Sequence, residues 1–254
     1  MGGGIGFINK WERKPGFKPA LTEPAIDIPH PWTRSVNGIC FLETPKKVLD
    51  KSGAKFGPFE GHLIGCEYDT RRLIRMSLER VGGQLQGAAY PFSYDRPPKG
   101  QPLLGPLVCQ VSPDGDLYVG SIRDSGWGGA NNIGTIVKLT PGRLPAGIAE
   151  VKAAKQGLIV RFTQPVDAKK GVSNNSYSAA SYRRVSTPSY GGRDRDRRVE
   201  KVVRVTLNAN ATEAHINLGK LRKGFVYELR VKNLANGGGQ FFPAEAYYTM
   251  RNLP

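Results

Sequence analysis

The stretch HLIGCEYDTRRLIRMSLE, residues 62–79, decides the fold. It contains two apolar runs, 62–68 and 71–79, and the residues between them are Asp69 and Thr70. Asp is a frequent turn residue because its side chain hydrogen-bonds the backbone nearby, and the hydroxyl of Thr does the same more weakly. Each run is too short for a typical helix and has the length of a strand. The stretch therefore predicts a β-hairpin.

A second copy of this pattern follows along the chain. The sequence PDG at 113–115 is a turn signal, DLYVGSI at 116–122 has the composition of a strand, and TIVKLTP at 135–141 provides a second strand after a polar loop. An imperfect repeat of strand, turn and strand is typical of β-propeller blades. We therefore predict about two propeller blades within residues 35–142.

The flanking regions differ in character. Residues 1–34 are rich in Gly and Pro and predict an extended lead-in, because proline interrupts helices. Residues 143–150, around a proline, predict a linker. Residues 151–254 contain alternating strands separated by turn residues, which predicts an immunoglobulin-like β-sandwich. The predicted fold class is therefore all-β: a partial β-propeller of about two blades followed by an immunoglobulin-like β-sandwich.

The predicted sandwich also has a predicted arrangement. We expect the strands GLIVRF (157–162), VVRVTL (202–207) and VYELRV (226–231) to lie in two packed sheets. Because side chains alternate along a strand, Val203 should face inward together with Val205 and Leu207.

The net charge of +16 raises the question of an anionic partner. Between Arg183 and Arg204, eight of 22 residues are Lys or Arg and three are acidic. The signs alternate over 193–198, which favours local ion pairs over a track for phosphates. No nucleic-acid-binding motif accompanies the charge, so we do not expect nucleic acid as a partner. A basic protein that binds an anionic polymer, either polysaccharide or nucleic acid, remains an alternative function.

The three cysteines, Cys40, Cys66 and Cys109, are widely spaced and form no CxxC or CxxCH motif. This excludes the usual zinc and covalent haem patterns. Each lies in or beside an apolar stretch, which favours buried free thiols, with one disulfide and a third free thiol as the alternative. Glu67 and Asp69 offer two carboxylates, far short of the six to eight oxygens that calcium takes. We predict no metal site.

Transport and catalytic motifs are also missing from the sequence. No apolar run approaches the roughly 18 residues of a membrane-spanning helix, so no membrane span is expected. The residues that follow Met1 include no apolar core of a signal peptide. No HExxH, GxSxG or Walker motif is present.

The most conspicuous polar cluster is SIRDSGWGG at 121–129. It follows a predicted strand end, where Arg123 could meet an anionic ligand and Trp127 could stack on a sugar ring. In the alternative interpretation, Asp124 caps backbone donors in a wide turn and Trp127 packs between blades. Asn37 is a weaker candidate, because an Asn-Gly turn explains it equally well.

Two longer runs carry a resemblance to a known family. They are FGPFEGHLIGCEYDTRRLIRMSLERVGGQLQGAAYPF (56–92) and LLGPLVCQVSPDGDLYVGSIRDSGWGG (103–129). They resemble the last blades of the glucose/sorbosone dehydrogenase-type six-bladed propeller, in the branch found in large secreted, often cytochrome-linked bacterial proteins. The tail segments FTQPVD (162–167) and AYYTMRNLP (246–254) resemble the sandwich that follows such propellers. The resemblance implies a secreted or periplasmic location. It also implies the remaining blades or a cytochrome c domain as partners, and carbohydrate as a ligand class.

The resemblance also implies an active site that this chain lacks in part. The family binds pyrroloquinoline quinone and calcium and oxidises sugars, with two arginines in a Gly-Arg-x-Arg-Asp pattern that hold the acidic quinone. Here Pro106 and Val108 occupy those positions, and neither replaces a guanidinium. The family's catalytic histidine lies in an earlier blade that this sequence does not contain.

The function predicted from these observations is a non-catalytic scaffold or binding module without a cofactor. One alternative is part of a quinone-dependent sugar or aldehyde dehydrogenase, with pyrroloquinoline quinone and calcium. A closed propeller needs typically four to eight blades. We therefore expect this chain to be a fragment of a longer protein or to complete itself by association.

Overall fold

The computed structural model describes residues 23–30, 32–93, 103–123, 132–140, 142–184 and 194–254. Within these ranges the chain is all-β, as predicted, with two short helices, α1 (Lys46–Ser52) and α2 (Ala168–Gly171). The first strands are β1 (Val36–Phe41), β2 (Leu63–Glu67), β3 (Arg72–Val81), β4 (Gln84–Pro91), β5 (Pro106–Val111), β6 (Leu117–Arg123) and β7 (Ile133–Leu139). The later strands are β8 (Ile148–Ala154), β9 (Gly157–Phe162), β10 (Tyr177–Arg183), β11 (Arg195–Glu200), β12 (Arg204–Leu207), β13 (Glu213–Asn217), β14 (Phe225–Val231) and β15 (Glu245–Met250).

The hairpin predicted at 62–79 is present as β2 and β3. Leu63 pairs with Met76 and Cys66 pairs with Leu73, and the turn lies between Glu67 and Arg72 as the sequence indicates. A second hairpin joins β3 to β4 through two glycines at positive φ, Gly82 and Gly83. Local turn chemistry therefore sets the pairing of β2, β3 and β4.

These strands belong to an antiparallel sheet of eight, in the order β1-β2-β3-β4-β15-β14-β10-β11. The sheet therefore contains strands from both sides of the predicted linker 143–150. Residues 148–150 of that linker form the start of β8. The division into two domains stays a prediction. Two domains that share a sheet through the β4–β15 pair would show the same strand order as a single unit.

Two smaller sheets cover one face of the eight-stranded sheet. The sheet β12-β13-β9-β8 packs over its C-terminal strands and buries a core that includes Val160, Ile216 and Leu229. The sheet β5-β6-β7 packs over its N-terminal strands and buries a second core around Leu73 and Val119. None of the three sheets closes on itself within the described residues.

The opposite face of the large sheet is covered by part of the predicted lead-in. Ile26, Ile28 and Trp32 pack against the buried side chains of Ile74 and Met76. The described part of residues 1–34 is therefore a packed segment of the fold.

The strands predicted for the sandwich pack as expected in most positions. β9 and β12 lie in the four-stranded sheet and β14 in the eight-stranded sheet, and Val160 and Val205 are buried between them. The inward orientation predicted for Val203 is wrong, because its side chain is 52% exposed. β12 begins only at Arg204, so the alternation does not extend back to Val203, and Val202 packs against the core instead.

A buried arginine lies between the two cores. Arg75, on β3, is 0% exposed, and its guanidinium lies 4.1 Å from the ring centroids of both Phe59 and Tyr90. It donates to the carbonyl oxygens of Ala149 at 2.6 Å and Ile148 at 2.9 Å. Arg75 therefore links β8, an edge strand of the four-stranded sheet, to the large sheet.

Among the described residues, no helix has both the length and the apolar character needed to cross a membrane.

Candidate docking surface

The four candidate residues predicted from the sequence have different outcomes. Arg123 ends β6 and is partly buried, while Asp124 and Trp127 lie outside the described residues. Asn37 is exposed on β1, where its Nδ2 donates to the carbonyl oxygen of Ser35 at 3.0 Å. The structure therefore places Asn37 in a strand and leaves the predicted cluster at 121–129 untested.

Pro106 and Val108, at the positions that the resemblance assigns to quinone-binding arginines, are the first and third residues of β5. Pro106 is buried, and Val108 is 56% exposed on the outer face of its sheet. Neither side chain has a hydrogen-bond donor for a carboxylate. The residues present therefore do not fit the acidic quinone.

The sheet β5-β6-β7 has two apolar faces. Along β6, Leu117 and Val119 point inward and are buried, as is Cys109 on β5. An antiparallel sheet covered on one side usually carries polar residues on the other side. Here Gln110 and Lys138 flank Tyr118 in its row, but four exposed outer positions, counting Tyr118, are large and apolar. They are Val108 (56% exposed), Tyr118 (37%), Ile122 (38%) and Ile136 (79%).

These four side chains lie on one face of the sheet, which we call the outer face. Val108, Gly120 and Ile136 are direct cross-strand partners and form its central row. Gly120 has no side chain, and a Cβ there would lie 2.8 Å from Cγ1 of Val108. Val108 therefore leans over the middle strand. Tyr118 and Ile122 lie in the rows on either side, two residues from Gly120 along β6.

Paired charges border the outer face. Lys138 on β7 bonds to Asp116 at 2.7 Å, and Lys55 lies 3.8 Å from the other oxygen of that carboxylate. The hydrogen bond with Lys138 lowers the pKa of Asp116, and the same bond raises the pKa of Lys138. Both groups therefore stay charged and paired at neutral pH. An apolar centre with a polar rim is the usual anatomy of a protein–protein interface.

An open groove of about 500 Å³ adjoins the outer face at Tyr118. Its lining residues are Pro45, Gln110, Val111, Ser112, Pro113 and Tyr118. This lining contains no carboxylate, histidine or cysteine that would serve as an acid, base or nucleophile. The groove therefore extends the outer face along β5 and β6.

The strand β7 leaves one edge of the sheet unpaired within the described residues. It hydrogen-bonds only to β6 there, and its single charged residue is Lys138. Proteins usually protect an exposed edge with charges, prolines or a covering segment. The edge of β7 therefore has no strand partner among the described residues.

The described part of the basic segment 183–204 includes β11. Arg197 bonds to Glu228 on β14 at 2.5 Å, and Arg198 bonds to Glu200 at 2.7 Å. Glu228 also forms an ion pair with Arg230 at 2.7 Å. Each of these arginines therefore bonds to a carboxylate on its own face of the sheet, which reduces the positive field available to an external anion.

The sequence did not identify the outer face. Alternation in 116–122 reveals a strand with two apolar sides, but it does not reveal which side another sheet covers. In the described part of the chain, no group of three or more His, Cys, Asp or Glu residues is arranged to hold a metal ion. Comparisons with protein-family models, curated proteins and solved structures found no match for this chain.

Proposed function

We propose that this chain is a non-catalytic interaction module that docks, through the outer face, onto an apolar β-sheet of a partner. The observation that carries the proposal is the exposure of Val108, Ile122 and Ile136 on a well-formed sheet. Isolated exposed apolar residues are common, but a contiguous row on one sheet face is typical of an interaction site. The proposed role is therefore assembly.

The shape of the outer face favours a sheet as the partner. In its central row, the β-branched side chains of Val108 on β5 and Ile136 on β7 lie on either side of Gly120 on β6. Such rows interdigitate with the side chains of a second sheet about 10 Å away. The inner face of the same sheet already packs in this manner, with Cys109 and Val119 against β2 and β3. A second sheet on the outer face would repeat that arrangement.

The resemblance to the last blades of a glucose/sorbosone dehydrogenase-type propeller supplies the identity we propose for this partner. Propeller blades are typically four-stranded sheets packed face to face, and β5-β6-β7 provides three antiparallel strands with a free edge at β7. The proposed partner is therefore a further blade of a longer secreted or periplasmic protein. In this proposal the strands around the core under β5-β6-β7 belong to a partial propeller, and those around the other core belong to an immunoglobulin-like sandwich. The proposed module has no cofactor.

An apolar fluorescent dye tests the outer face directly. The folded wild-type chain should enhance the fluorescence of anilinonaphthalene sulfonate, and Ile136→Lys should reduce that enhancement by at least half. Val199→Lys is the matched control, because Val199 is 86% exposed on β11, in a different sheet. An equal signal from all three proteins would contradict the proposal.

A dye-linked oxidation assay separates the proposed role from the quinone-dependent alternative. With pyrroloquinoline quinone, calcium and an aldose added, an interaction module gives no turnover above the protein-free control. Turnover that increases with the concentration of this chain would establish the dehydrogenase instead.

A further inference from the structure

Three cysteines that are far apart in the sequence meet in the core under β5-β6-β7. Cys40 on β1 is the cross-strand neighbour of Ile64, and Cys66 lies two residues beyond Ile64 on the same face of β2. The thiol of Cys109 on β5 donates to the carbonyl oxygen of Ile64 at 3.6 Å. Cys66 and Cys109 are buried in the same core cluster, and Cys40 packs against that cluster. The three cysteines therefore lie around Ile64 in one core.

The backbones of β1 and β5 approach closely beside this cluster. A Cβ on Gly38 would lie 2.5 Å from the carbonyl oxygen of Leu107 and 2.7 Å from Cα of Val108. Cys40 and Cys109 are two residues and one residue away from this crossing. A disulfide requires Cα atoms about 4.4–6.8 Å apart, so it needs two backbones that approach each other closely, as β1 and β5 do here.

Access distinguishes the two pairs that Cys109 can form. Cys66 is 0% exposed, whereas Cys40 is partly exposed on β1, the edge strand of the large sheet. An external oxidant therefore reaches Cys40 first. Cys109 lies next to the close approach of β1 and β5, whereas Cys66 is fully buried on β2.

We propose that Cys40 and Cys109 are a thiol–disulfide site, oxidised by a small-molecule disulfide to a covalent link between the three-stranded and eight-stranded sheets. The thiolate of Cys40 attacks one sulfur of oxidised glutathione, forms a mixed disulfide and releases the first glutathione thiolate. The thiolate of Cys109 then attacks the Cys40 sulfur, forms the S–S bond and releases the second. Both thiol protons go to solvent, and the two electrons reduce one glutathione disulfide to two thiols.

The environment of the site predicts slow oxidation at neutral pH. The hydrogen bond with Cys109, followed by burial, raises the pKa of Cys40. For Cys109, the hydrogen bond with Cys40 lowers the pKa, but the hydrogen bond with Cys66 and burial outweigh it and raise the pKa to about 12. Because the thiolate is the attacking species, the rate should rise about tenfold per pH unit between pH 7 and 9.

The experiment incubates the folded chain with oxidised glutathione at pH 7, 8 and 9, quenches with acid, and counts thiols after denaturation. The count should fall from three to one, and the peptide map should link the Cys40 peptide to the Cys109 peptide. The midpoint of urea unfolding should rise on oxidation. Cys66→Ala should retain both effects, and Cys40→Ser should abolish them.

Three results would overturn the assignment. They are retention of three thiols at pH 9, a map that links Cys66 to Cys109, and a disulfide between two chains through Cys40. The wild-type peptide map decides the question even where a variant does not fold. Its outcome is independent of the proposed docking function, because no thiol of the cluster lies on the outer face.

Discussion

Arg75 is a charged residue in a position that the sequence pattern assigns to an apolar strand. Its partners are the backbone carbonyls of Ile148 and Ala149 and the rings of Phe59 and Tyr90. The apolar run 71–79 is typical of a buried strand, and five consecutive residues of β3 are buried. This pattern could not predict how the charge is accommodated, because both carbonyl partners lie more than 70 residues away along the chain.

Replacement of Arg75 by Met tests this interpretation at the residue scale. Two buried carbonyls would lose their donors, at a cost of about 1–3 kcal/mol each, partly offset because a charge is no longer buried. We expect the free energy of unfolding in urea to fall by about 1–3 kcal/mol. Arg80→Met, on the exposed part of the same strand, should change it by less than about 0.5 kcal/mol. A variant as stable as wild type would show that Arg75 does not fasten β8.

His62 makes stability depend on pH. Burial, followed by the positive charges of Arg75 and Lys152, lowers its pKa from 6.5 to about 3. The unfolded chain therefore binds a proton below pH 6.5 that the folded chain does not bind. This stability is fully present above pH 6.5 and is lost as the pH falls toward 3, by roughly 2 kcal/mol at pH 4.5.

The measurement for His62 compares urea unfolding of wild type and His62→Asn at pH 7.5 and 4.5. Asn keeps an acceptor near the position of Nδ1, which lies 2.8 Å from Nη1 of Arg75, and has no proton to gain. The variant should lose about 2 kcal/mol less than wild type on acidification. Equal losses would mean that His62 is protonated in the folded chain.

At the scale of elements, the fold depends on the pairing of β4 with β15, which joins the two halves of the large sheet. The hairpins at 62–79 and β3–β4 were predictable because turn residues next to each other in sequence specify them. The β4–β15 pair was not, because alternation tells which face of a strand is buried but does not name its neighbour. For the same reason, a linker could be predicted at 143–150, but not the pairing of strands on either side of it.

Gly87 lies on β4, where the two halves of the large sheet meet. It pairs with Leu78 on one side and with Thr249 on the other, and a Cβ there would lie 1.9 Å from the carbonyl oxygen of Ser77. Gly87→Ala must displace backbone, so we expect it to lower the free energy of unfolding by about 1–3 kcal/mol. Gly134→Ala is the matched control, because a Cβ there meets its nearest atoms at 3.7 Å. A change of less than about 0.5 kcal/mol for Gly87→Ala would contradict this account of the join.

At the scale of the whole molecule, three sheets and two cores leave one large apolar surface uncovered within the described residues. The all-β class followed from short turn-bounded apolar runs, and the structure confirms it. The candidate site did not follow. The sequence drew attention to polar residues such as Arg123 and Asn37, whereas the outer face consists of aliphatic residues that look like core. Only the packing of β5-β6-β7 against β2 and β3 shows which apolar side is left exposed.

Sedimentation equilibrium on the purified chain tests the central claim most directly. Without the proposed further blade, the apolar outer face of one copy should pack against that of a second copy. The weight-average mass should rise above the monomer mass of 27.7 kDa as concentration increases, and should do the same for Val199→Lys. Ile136→Lys should remain at the monomer mass, since a lysine ammonium on the central row must be desolvated for two faces to pack. A wild-type chain that stays monomeric throughout, or an Ile136→Lys variant that associates equally well, would contradict docking through the outer face.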